Sequence, residues 1–150
     1  MEQAAINKVE FVREVTAKYI GPRRKSVTIR GSQHAADFIR SLLKDNAREH
    51  FIALYLDASN QIVSYSIASI GSANAAPVCP RVLFQGALLA GACSLIVGHN
   101  HPSGNTQASQ EDRAVTKRLK EAGHLIAIPL IDHLIVTETE HYSFAEEGMV

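Results

Sequence analysis

The stretch Ser94-Leu95-Ile96-Val97-Gly98-His99-Asn100-His101-Pro102, continuing to Ser109-Gln110-Glu111-Asp112, decides how the chain reads. Ser94 to Val97 predicts a short buried strand. His99 to Ala108 is polar and broken by Pro102 and Gly104, which predicts a loop. Ser109 with an acid three residues later is a helix-start signature. Val115, Leu119 and Ala122 then share one helical face until Gly123, where the helix is expected to stop. A strand, a polar loop and a helix in that order place the loop at the carboxyl end of the strand, where α/β sheets hold ligands.

Working outward, Phe51 to Leu56 is apolar at every position, the pattern of a strand covered on both faces. Asp57-Ala58-Ser59-Asn60 is turn chemistry, and Gln61 to Ile70 reads as the returning strand of a hairpin. Upstream, Ser32 reads as the N-cap of a helix to about Asn46, with Ala35, Ala36, Phe38, Ile39, Leu42 and Leu43 at helical spacing. Gly71 to Pro80 is a loop, Val82 to Leu89 a second helix stopped by Gly91, and Val27 to Ile29 a short strand. Leu125 to Ile128 and Leu134 to Thr137 read as the last strands. Residues 6–20 have a weak helical period that the Gly21-Pro22-Arg23-Arg24-Lys25 turn breaks. The expectation is one α/β domain over 27–150, a mixed sheet flanked by helices, with 1–26 as an N-terminal extension.

Composition sets the limits. A chain of 150 residues with 46% hydrophobic and 20% charged residues can bury its own core, which excludes wholesale disorder. The 15 basic and 15 acidic residues cancel, so the chain as a whole is not a polybasic binder of nucleic acid or membranes. No apolar run reaches the roughly 18 residues of a membrane span, and the N-terminus lacks the basic and apolar regions of a leader. The two cysteines, Cys79 and Cys93, make no disulfide framework and read as small core residues. A cytoplasmic protein with reduced thiols is expected.

His99, His101 and Asp112 form a His-x-His-x(10)-Asp pattern. Neutral imidazoles and a carboxylate suit Zn²⁺, and three such ligands leave one position open to water. Composition alone predicts this arrangement roughly 0.01 times in such a chain, so the spacing is informative. It also admits a second reading, in which Asp112 completes a capping box with Ser109 and complements the helix dipole. The contiguous His99-Asn100-His101 is not the dispersed triad of the HNH nucleases.

With Pro102 and Ser109, the pattern resembles the JAMM (JAB/MPN) metallopeptidase signature. Arg48-Glu49-His50-Phe51, Leu56-Asp57, Pro80-Arg81, His99 to Gly104, Asp132-His133 and Tyr142-Ser143-Phe144 extend the resemblance to the RadC family in its short form, over about 27–150. Ala108 stands where that family commonly has proline. The resemblance implies a JAMM-type α/β sandwich, similar to the cytidine-deaminase layout, with one Zn²⁺ per chain on His99, His101 and Asp112. It further implies that Glu49 works as general base on a water whose pKa the metal lowers from near 15.7 towards about 7, and that Ser109 hydrogen-bonds the developing oxyanion. Without the resemblance, Glu49 reads as a solvated linker carboxylate and Ser109 as a cap.

His133 reads as a satisfied structural histidine, with a partner of a metal ligand or a pocket residue as the alternatives, and Arg81 as a helix-start residue that is solvated or faces substrate. Arg113, Lys117 and Lys120, with Arg23, Arg24 and Lys25, raise a phosphate-binding patch, which Glu111 and Glu121 dilute to a solvated face. His34, His50, His124 and His141 have no partner spacing. Three functions compete: a zinc hydrolase of peptide or isopeptide bonds, with a peptide or protein substrate; a DNA-repair or mobile-element factor associated with DNA, as the family's name suggests; and a non-catalytic scaffold. An exposed sheet edge or the N-terminal segment would serve a homodimer.

Overall fold

A computed structural model gives the architecture and describes residues 16, 18, 25–71 and 78–150. The helix expected over 6–20 lies outside the described residues. Among the described residues, three helices, α1 (Ser32–Leu42), α2 (Pro80–Leu89) and α3 (Gln110–Leu125), pack on a sheet of β1 (Glu49–Leu56), β2 (Ile62–Gly71), β3 (Ser94–Asn100), β4 (Leu130–Val136) and β5 (His141–Ser143). The sheet order is β2-β1-β3-β4-β5. Only β3 and β4 are parallel, and the chain between them crosses over through α3. This is the mixed, helix-flanked α/β sheet that the sequence predicts.

The central position of β1 explains its unbroken apolar run. Phe51, Ala53 and Tyr55 join the core under α2 and α3 with Leu83, Phe84, Val97 and Leu119. Ile52, Leu54 and Leu56 face the other way, into the core under α1 with Ala36, Ile39, Ile96 and Leu134. The same alternation sends His99 and His133 to the α3 side.

Several boundaries differ from the sequence reading. Gly31, not Ser32, is the N-cap of α1, because the Ser32 hydroxyl is turned to the Glu146 carboxylate. That helix ends at Leu42 rather than Asn46. The Asp45 carboxylate accepts from the backbone of Ala47 and Arg48, and this local turn competes with the helix. Strand β3 continues through His99 and Asn100, since Phe51, Ile135 and Val136 pair with them. Helix α3 runs through Gly123 to Leu125, and Ala127 takes the left-handed turn at φ 58. Leu125 to Ile128 is therefore no strand. Gly123 is needed for packing: a Cβ there would lie 2.5 Å from the Ile128 carbonyl oxygen. Val27 to Ile29 contributes a single bridge, Thr28 to Gln61. Strand β4 begins early enough to include Asp132 and His133, and β5 was not expected. Cys79 and Cys93 are exposed rather than in the core.

Candidate metal centre

The centre lies where β3 ends and α3 begins. His99 is the penultimate residue of β3 and is fully buried, its ring stacked on Phe51 at 5.8 Å. His101 follows the strand, held by its backbone N–H on Val136 at 3.2 Å. Gly104, at φ 78, completes the reversal that a side chain would strain. The loop then delivers Asp112 in the first turn of α3, where Ser109 and Asp112 form the predicted capping box.

Three donor atoms converge. His99 Nε2 lies 3.0 Å from His101 Nε2 and 3.1 Å from Asp112 Oδ1, and His101 Nε2 lies 3.8 Å from Asp112 Oδ2. Bonds of about 2.0–2.1 Å to a tetrahedral ion would place donors about 3.3 Å apart, so these separations bracket the required triangle. Exposure is 1% for the His99 side chain, 17% for His101 and 13% for Asp112, so the triangle has one open side. Ligand atoms of Glu49, His99 and His101 also lie within 4.8 Å of one another. Glu49 begins β1 and is half-buried, and no hydrogen bond among the described residues occupies its carboxylate.

The hydrogen-bond partners prepare both imidazoles. His101 Nδ1 lies 2.6 Å from the Asn105 carbonyl, which only accepts, so Nδ1 carries the proton and Nε2 keeps a lone pair. His99 Nδ1 lies 2.9 Å from His133 Nε2, and His133 Nδ1 lies 2.7 Å from Thr116 Oγ1. Burial holds His133 well below the usual histidine range. Burial alone would raise the Asp112 carboxyl. The contact with His99 and the capping groups of Ser109 outweigh it and hold Asp112 well below the usual carboxylate range.

Asn100 is the residue that sequence reasoning missed most plainly. Pairing between β1 and β3 ends at Phe51 and His99. Beyond it the Asn100 amide accepts from His50 N at 2.7 Å and donates to the Arg48 carbonyl at 2.9 Å. It grips the backbone on both sides of Glu49. Strand alternation carried the signal, since the residue between two same-face histidines must face the other way. Thr116 was also missed, although it lies one helical turn from Asp112. His133 is partnered to the centre rather than independent of it. Asp132 is buried beside it, accepting from Ser143 Oγ, His133 N and Ala145 N.

Ser109 is exposed at the helix start and joined to the cluster through Asp112. Its Oγ accepts from Asp112 N, which leaves its own proton free to donate. Arg81 is exposed at the start of α2. Arg113, Lys117 and Lys120 line a cleft of about 640 Å³ with Glu121, His124 and Phe144. A second cleft, about 620 Å³, opens beside His101 between Arg40, Asn46, Ser103 and Thr137. No described helix is long and apolar enough to cross a membrane.

The family model described as RadC-like JAB domain matches residues 29–149. A UPF0758 protein of Methanosarcina acetivorans is 44% identical over 108 residues, covering 72% of this chain and 47% of that protein. One from Chlorobium chlorochromatii is 39% identical over 114 residues, 76% of this chain and 51% of that protein. Another from Vibrio vulnificus is 36% identical over 149 residues, 99% of this chain and 66% of that protein. The chain spans about half to two thirds of the length of these curated relatives. A match over residues 29–149, on a fold in which β3 and the loop after it carry the paired histidines and α3 the aspartate, makes the chain a member of the RadC-like JAB domain family.

Proposed function

We propose that the centre holds one Zn²⁺ on His99, His101 and Asp112 and serves hydrolysis of a peptide or isopeptide bond. The observation that carries this reading is the convergence of two imidazole Nε2 atoms and one carboxylate on a triangle with an open side. The donor set, two imidazoles and a carboxylate, is that of catalytic rather than closed structural zinc sites. The ion would lower the pKa of a water at that open side to near neutrality. Glu49 serves as the base that holds the proton and returns it to the leaving amine. Ser109 Oγ–H donates to the oxygen on which charge develops. The cleft beside His101 receives the flanking peptide, its backbone groups meeting the polar side chains of Asn46 and Thr137.

The test is metal content of the purified protein with His101→Ala alongside. About one Zn²⁺ per chain, lost in the variant, supports the reading, and cleavage in a peptide panel should then disappear in Glu49→Gln. A parent that takes up no metal on reconstitution overturns it.

A second reading, association with DNA, is favoured by Arg113, Lys117 and Lys120 lining one cleft. It requires DNA affinity that falls steeply with salt and is weakened by Lys117→Glu.

A further inference from the structure

We infer that His133 is a positioning residue that, with Thr116, imposes on His99 the tautomer able to bind a divalent cation; this rests on the reading of the centre as a metal site. The reasoning begins at Thr116. Its Oγ1 lies 2.7 Å from the Asp112 carbonyl oxygen and 2.7 Å from His133 Nδ1. A hydroxyl has one proton, and a carbonyl only accepts. Two oxygens at 2.7 Å without a proton between them repel, so the Thr116 proton points to the carbonyl. Thr116 must then accept from His133, and His133 Nδ1 carries hydrogen.

The remaining assignments follow in turn. A neutral imidazole has one N–H, so His133 Nε2 is bare. His99 Nδ1, at 2.9 Å, must donate to it. In neutral His99 this leaves the lone pair on Nε2, where a cation held between His101 and Asp112 would take it. The relay begins on one candidate ligand and ends on the backbone of another. It lies in the interior: His99 and His133 are fully buried and Thr116 is 2% exposed, so water does not compete for these bonds. Phe144 stacks on His133 at 4.7 Å and Phe51 on His99 at 5.8 Å, which fixes both ring planes.

The experiment pairs two readouts on the wild type, His133→Phe, His133→Gln and Thr116→Val. The first is Zn²⁺ affinity by competition with a chromophoric chelator. The second is the ring ¹⁵N signature of His99 in metal-free protein, which separates Nδ1–H from Nε2–H. The wild type should show His99 as Nδ1–H. His133→Phe and Thr116→Val should mix the tautomers and weaken Zn²⁺ binding roughly tenfold to a hundredfold. His133→Gln, which keeps an acceptor and a donor one carbon apart, should recover most of both. Wild-type affinity and an unchanged His99 tautomer in the folded variants overturn the inference. If His133→Phe does not fold, Thr116→Val decides, since it changes only one buried hydroxyl. A wild type that binds no Zn²⁺ overturns the metal reading, while its His99 tautomer still decides the role of His133.

Discussion

Ser109 and Asp112 cap one another. Asp112 N donates to Ser109 Oγ at 3.1 Å, Ser109 N donates to Asp112 Oδ2 at 2.8 Å, and the other oxygen, Oδ1, faces His99. The helix start thus aims the carboxylate. Ser109→Ala removes one half of this exchange and should lower stability by about 1 kcal/mol in urea unfolding. It should leave Zn²⁺ bound, because the backbone N–H still holds Oδ2. A cleavage rate that falls far more than 1 kcal/mol explains would identify the hydroxyl as a donor to substrate. Ser109→Thr should restore the cap.

Glu49 and Asn100 are expected to separate proton handling from metal holding. Glu49→Gln should retain Zn²⁺ while losing at least about a hundredfold in cleavage rate. Asn100→Asp keeps the acceptor for His50 N but sets a charge against the Arg48 carbonyl. The shift in Glu49 should cost about tenfold to a hundredfold in rate with the metal retained. Metal analysis beside steady-state kinetics checks both, and loss of metal from either variant would contradict the division of labour.

Asp132 provides a pH test away from the candidate ligands. Burial pushes its carboxyl above the usual range, against the hydrogen bonds from Ser143, Ala145 and His133. An acid that holds its proton more tightly folded than unfolded contributes stability below its unfolded pKa, near 4, and loses it as pH rises through the folded value. Near neutrality the buried charge is therefore a cost. Asp132→Asn keeps an acceptor for His133 N and Ala145 N. It should be at least as stable as the parent at pH 7, with its advantage shrinking towards pH 4. Urea unfolding across that range measures the difference, and an advantage growing at low pH would reverse the sign.

Gly123→Ala should destabilise, although alanine in a free helix gains about 1 kcal/mol over glycine. The new methyl would meet the Ile128 carbonyl oxygen at 2.5 Å and the Phe84 ring at 3.2 Å. The backbone contact cannot rotate away, so a loss of about 1–3 kcal/mol is expected, read as a lower melting temperature.

What the sequence made legible was local. The run from Phe51 to Leu56 announced a doubly covered strand, and the pair Ser109 and Asp112 announced the start of α3. His99, His101 and Asp112 were readable because they sit close together in the chain. Gly123 misled because a glycine required by packing looks the same in sequence as one that ends a helix. Strand β5 is three residues long and forms against β4, so no periodicity marks it. The link from His133 to His99 depends on the β3–β4 register, which sets His133 opposite Val97. Pairing across the α3 crossover fixes that register, and no local pattern encodes it.

The close spacing of the three donors has a bearing on the order of assembly. His99, His101 and Asp112 belong to one short stretch, so closing that loop costs little chain entropy. Glu49 and His133 arrive only when distant strands pair, the slower class of event in folding. A cation would therefore be captured by a nascent turn before the sheet is complete, whereas the proposed hydrolysis would await the finished fold. In a refolding experiment, metal uptake should precede recovery of activity.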